Sequence, residues 1–187
     1  VPIYKSDEEL SAISEVVHKL RSQMHSKGIT TYYDDRDNYK PGFKFAEHEM
    51  RGVPVRVAIG PKDIEKGTAE VARRDTLQKQ YVPQEQLADT IVALLDDIQQ
   101  NLYNRALAFR ENNTVKVDSY DEFKKIVAEK GGFVLAHWDG TPETEAQIKE
   151  ETKATIRCIP LDMPEEEGKC ILTGKPSKRR AIFAQAY

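Results

Sequence analysis

The sequence predicts an α/β protein: a first domain with a mixed five-stranded sheet and packed helices, then a small α+β domain. Three observations carry this expectation. Short runs rich in β-branched and aromatic residues (residues 1–3, 29–33 and 53–59) alternate with long amphipathic segments, the pattern of strand–helix units feeding one sheet. Residues 68–73 and 77–82 flank the charged tip Arg74-Asp75-Thr76 and read as a hairpin, completing the sheet. Composition then shifts to shorter alternating elements, which assigns residues 1–103 and 104–187 to separate domains.

Each element has its own local signals. Ser6-Asp7-Glu8-Glu9 is a capping box, with a hydroxyl at the N-cap and a carboxylate three residues on. Behind it Leu10, Ile13, Val16, Val17, Leu20 and Met24 keep helical spacing, and Gly28 ends the run. Pro41 is suited to open a helix over residues 43–51. Val53, Val55, Val57 and Ile59 alternate with Arg56 and Ala58 through a strand beginning near Pro54, and residues 63–67 read as a turn. From Gln84 a long helix aligns Leu87, Ile91, Leu94, Leu95, Ile98, Leu102 and Phe109 on one side. Further on, Ser119-Tyr120-Asp121-Glu122 forms a second capping box and Gly131-Gly132 closes its helix. Residues 133–138 read as a strand and Thr141-Pro142 starts a helix to about Thr152. Residues 155–160, 169–172 and 180–184 read as short strands, with an acidic loop at 163–168.

Composition excludes several functions. The chain has 187 residues, 39% hydrophobic and 32% charged, with a net charge of −3, so a polyanion would be held by a local patch and not by the global field. No apolar run is long enough to cross a membrane. Two cysteines, Cys158 and Cys170, make no disulfide framework, so a reducing, cytoplasmic setting is expected. The opening Val1-Pro2-Ile3-Tyr4 reads as a strand cut partway, the expectation being a fragment of a longer protein. No catalytic constellation is visible: phosphate-loop spacings are absent, and the four histidines have no metal-binding spacing. The basic pairs and triplets, Arg73-Arg74 and Lys178-Arg179-Arg180, read as solvated surface.

Residues 34–63, DDRDNYKPGFKFAEHEMRGVPVRVAIGPKD, are the richest stretch. Aromatic rings suit stacking on base faces, carboxylates accept from guanine N1–H and N2–H2, and Arg or Lys donates to O6 and N7. On composition alone, a mixed-charge loop beside a strand is more often a solvated rim.

With this stretch, the 101–114 segment NLYNRALAFRENNT, and the tail KEETKATIRCIP…GKCILTGKPS…IFAQAY, the chain closely resembles the C-terminal two domains of prolyl-tRNA synthetase, a class II aminoacyl-tRNA synthetase. The likeness covers essentially the whole chain. It implies an anticodon-binding fold followed by an accessory domain, and a parent ligase that activates proline with ATP and Mg. That ligase would transfer proline to tRNA(Pro) and form a homodimer. The catalytic domain would lie outside this chain, leaving the fragment itself inactive and without a cofactor. By resemblance Glu49, Arg56, Lys62 and Asp63 fall on positions that read the two guanines of the proline anticodon, and Phe45 on an aromatic near those bases. Tyr187 falls on a terminal tyrosine that docks on the catalytic domain of the same chain. Many members hold zinc through four cysteines in the last domain. The matching positions here are Asp139, Thr144, Cys170 and Thr173, so no structural zinc is expected. The alternative is a stand-alone accessory or regulatory module on the same fold.

Overall fold

The computed structural model describes residues 1–185, in two compact units, Val1–Asn104 and Arg105–Tyr187. In the first unit, α1 (Asp7–Ser26) is capped by Ser6, whose Oγ accepts from Glu9 N at 3.3 Å. Glu9 reaches one residue further back than a reciprocal box requires, accepting from Lys5 N at 2.7 Å. α2 (Pro41–Met50) begins with Pro41 at its first turn, where the missing N–H costs nothing. β1 (Val55–Ala58) follows, then α3 (Pro61–Lys66), β2 (Thr68–Arg73), β3 (Lys79–Pro83) and the long α4 (Leu87–Asn112). The three strands form an antiparallel sheet in the order β1-β2-β3. Leu77, with φ of +61°, belongs to the turn and not to β3.

The α/β class stands, but the strand count is smaller than five. Residues 1–3 contribute a parallel bridge, Pro2 to Ile59, with Ile3 N donating to Ile59 O at 2.9 Å. Residues 29–33 join no ladder among the described residues. Their side chains bind α1 instead: Arg21 Nε donates to Thr31 Oγ1 at 3.2 Å, and Tyr33 Oη lies 2.9 Å from Ser14 Oγ. Ile29 and Thr31 line a cavity of about 470 Å³ together with Val55 and Val57 of β1. α3 replaces the expected turn at 63–67. Gly60 is its N-cap, Pro61 its first residue, Asp63 Oδ2 accepts from Gly60 N at 2.8 Å, and Gly67 closes it at φ +63°.

The core of this unit joins Ile13, Leu20 and Met24 of α1 to Val71, Val82, Leu87 and Ile91. On α4 the stripe is buried at Leu87, Ala88, Ile91 and Ile98, whereas Leu102 and Phe109 are exposed. A helix of 26 residues is about 39 Å long at ~1.5 Å per residue, more than twice the span of a short strand, so it outruns its sheet.

The second unit is built on β4 (Thr114–Lys116), α5 (Tyr120–Glu129), β5 (Phe133–His137), α6 (Pro142–Thr152), β6 (Ala154–Cys158), the hairpin strands β7 (Gly168–Lys169) and β8 (Pro176–Ser177), and β9 (Arg180–Gln185). Its main sheet runs β4-β5-β9-β6, with β4 and β5 parallel and the other pairs antiparallel. Phe123 meets Phe183 edge to face at 5.3 Å in the centre of the core. The second capping box does not form, since Ser119 makes no side-chain cap bond. The run at 169–172 is a strand only at Lys169, because Cys170 enters a turn in which Gly174 N donates to its carbonyl at 2.9 Å. Gly168 lies against His137 so closely that a Cβ would stand 2.2 Å from Nε2, and no other residue fits there. No helix among the described residues is long and apolar enough to cross a membrane.

Candidate nucleic-acid interface

In the first sheet, residues directly opposite share a face. Val57 and Val71 pair toward the core. The alternation then sends Arg56, Ala72 and Lys79 to the outer face in one row, and Ala58, Glu70 and Tyr81 in the next. The Arg56 guanidinium lies over the Phe45 ring, 3.6 Å from its centre, in cation–π geometry. Its Nη1 reaches Glu70 Oε1 at a long 3.4 Å, and Lys79 Nζ competes for the same oxygen at 3.6 Å. Arg56 Nε is buried and has no hydrogen-bond partner among the described residues. The side chain is therefore held flat by the ring while part of its donor fork stays unengaged. Tyr81, exposed on the same face, adds a second ring.

Helix α2 carries the rest of the candidate set and is itself clamped by a buried hub. Lys44 and His48 lie one turn apart on one face; Phe45 and Glu49 lie one turn apart on the next. Asp34, 1% exposed, accepts from Arg36 Nε and Nη2 at 2.8 Å each and from His48 Nε2 at 2.8 Å. Its backbone carbonyl accepts from Lys44 Nζ at 3.1 Å. The Arg36 hydrogen bonds hold the Asp34 carboxyl well below the usual carboxylate range, against the opposing effect of burial. Arg36 also pairs with Glu47, which pairs in turn with Arg51. The segment before α2 and the helix are thus bolted together by charge on one side, while Phe45 seats Arg56 on the other.

Of the residues expected from resemblance, Phe45 and Arg56 are in direct contact. Glu49 is exposed at the end of α2, where its carbonyl accepts from Arg74 Nε at 2.7 Å. Lys62 and Asp63 open α3 as the chain leaves β1. Lys62 is exposed, and among the described residues no ion pair engages it. Asp63 is partly occupied, because one oxygen caps its own helix; the other remains to accept. Neither makes a hydrogen bond or ion pair with Phe45, Glu49 or Arg56 among the described residues. Tyr187 lies outside the described residues. Sequence reasoning missed the hub of Asp34, Arg36, Lys44 and His48. The available signal was the helical spacing of Lys44 and His48, two polar residues one turn apart on one face of α2. No group of three or more His, Cys, Asp or Glu among the described residues could hold a metal.

Residues 1–94 match the family model described as anticodon binding domain, so the chain belongs to the anticodon-binding domain family. Residues 120–187 match the model described as prolyl-tRNA synthetase, C-terminal. Proteins named proline–tRNA ligase are similar along the whole chain: 57% identical in Cytophaga hutchinsonii, and 54% in both Christiangramia forsetii and Porphyromonas gingivalis. The chain spans 38% of the length of each of these relatives.

Proposed function

We propose that this chain is the tRNA-reading part of a proline–tRNA ligase and that it recognises the anticodon loop of tRNA(Pro). The observation that carries the reading is Arg56, stacked on Phe45 on the outer sheet face, with Glu49 exposed at the end of α2 and Lys62 exposed at the start of α3. Glu49 and the free oxygen of Asp63 accept from the guanine Watson–Crick edge, where adenine offers no matching donor pair, and Arg56 and Lys62 donate to O6. Proline activation with ATP and Mg is assigned to parts of the ligase beyond this chain, and the whole ligase to a homodimer.

The test is binding of a short anticodon stem-loop at low salt, compared with versions in which each guanine becomes adenine. Wild type is expected to prefer guanine. Glu49→Ala and Arg56→Ala are each expected to lose about 1–3 kcal/mol of that preference, a factor on the order of 5 to 150. Binding that ignores the guanines in wild type would sink the residue assignments. With a net charge of −3, affinity should fall steeply as salt rises, since only a local patch holds the phosphates.

A further inference from the structure

The second unit contains a polar cluster that anticodon reading does not use. Asp139 follows β5 and is almost fully buried, its side chain 2% exposed. Its Oδ1 accepts from Thr141 N at 3.2 Å and from Thr141 Oγ1 at 2.8 Å. Its Oδ2 accepts from Thr144 Oγ1 at 3.1 Å and from Thr173 Oγ1 at 2.9 Å. Thr141 and Thr144 stand at the start of α6, whereas Thr173 lies in the turn between β7 and β8. The same turn begins at Cys170, which is buried, and its backbone is closed by Cys170 N donating to Lys175 O at 2.8 Å. Lys175 Nζ lies 3.9 Å from Asp139 Oδ2.

Asp139, Thr144, Cys170 and Thr173 are the positions that the family resemblance assigns to zinc ligands, and three of them do converge. The donor set nevertheless does not fit zinc. Two of the four groups are neutral hydroxyls whose protons point at the carboxylate, and only one is a thiol. Both carboxylate oxygens are already saturated by hydrogen bonds. A lysine ammonium stands beside the cluster, supplying the positive charge that a metal would otherwise bring.

We infer that a carboxylate-centred hydrogen-bond cluster here takes over the structural task of a four-ligand metal site, tying the 170–175 turn to the start of α6 with Lys175 as counter-charge. The second unit therefore folds without metal. Trp138, the chain's single tryptophan, adjoins Asp139 and donates through Nε1 to Thr141 O at 3.1 Å, so its fluorescence reports this cluster.

The experiment uses the whole chain, purified without added metal. Elemental analysis is expected to find zinc far below one per chain. Thermal unfolding followed by Trp138 fluorescence should be unmoved by a strong zinc chelator. Thr144→Val and Thr173→Val keep shape and remove the hydroxyl that donates to Asp139, together with the bond that hydroxyl accepts from Thr141 Oγ1 or Lys175 N, and should each lower that midpoint by about 4–8 °C. Stoichiometric zinc, or a midpoint that drops with chelator, overturns the proposal. So do valine variants that unfold at the wild-type temperature.

Discussion

Asp34→Ala is expected to destabilise the first unit by about 3–5 kcal/mol, the range for removing one partner of a buried charge pair. The cost arises because Lys44 stays behind: it is 2% exposed, and its ammonium lies 3.9 Å from Asp34 Oδ1. His48 and two donors of Arg36 lose their acceptor in the same step. The effect depends on pH with a definite sign. The native carboxyl is held below the unfolded value of about 3.9, so its stabilisation is complete above that pH. It is lost progressively as pH falls toward the lower native value. Urea unfolding followed by far-UV circular dichroism should show the full deficit of the variant at pH 7. The gap to wild type should narrow on acidification below pH ~4. A deficit under about 1 kcal/mol at pH 7 would mean that the hub is ornamental and that Lys44 finds water.

Arg180→Ala is the second large effect, expected at about 3 kcal/mol, because several charge-assisted hydrogen bonds vanish with one side chain. Arg180 is 5% exposed on β9 and joins several elements of the second unit. Its Nη1 donates to Val117 O at 2.8 Å, and its Nη2 to Asp118 Oδ1 at 2.6 Å. Nε and Nη2 also grip Glu166 bidentately, at 3.1 and 2.8 Å. Through Glu166 the acidic segment 163–168 is held against the sheet, and Glu166 N donates to Lys178 O at 2.9 Å. The Arg180 hydrogen bonds lower the Glu166 pKa to about 2, so this pairing is present above the ordinary glutamate value and fades as pH falls toward 2. Asp118→Ala, by contrast, should cost under ~1 kcal/mol, since Asp118 is exposed. Hydrogen exchange separates the two: Arg180→Ala should lose protection around residues 163–168, and Asp118→Ala should keep it.

What the sequence revealed and what it hid divide along a physical line. α1, α2, α4 and the β2–β3 hairpin were legible because caps, apolar spacing and a charged turn are local. α3 was not, because six residues cannot show an apolar stripe; its signature was the Gly60-Pro61 start and Gly67 stop. Residues 29–33 carry strand composition, but composition favours extended backbone without supplying a partner. β4, β7 and β8 are two or three residues long, too short for alternation to register. At the site, the strand pattern placed Arg56 opposite the valines, yet its seat on Phe45 is a tertiary fact. The Asp34 hub was hidden for the same reason, since a run of charges reads as surface until the fold buries it. In the second unit the hydrogen bonds of Thr144 and Thr173 to Asp139 were not legible, because the Thr173 bond joins residues 34 positions apart and the Thr144 bond depends on the turn that α6 begins with.

The unengaged nitrogen of Arg56 places evolutionary pressure on one codon. A buried donor without a partner is a standing defect of about 1–3 kcal/mol in the free protein. Selection for stability alone would replace the arginine with methionine or leucine, which fill the space above Phe45 without a stranded N–H. On the proposed function, contact of the rest of the guanidinium with RNA offsets that cost. If position 56 reads RNA as proposed, a lineage freed from that task should drift to an apolar side chain there, and one still under that demand should keep the guanidinium.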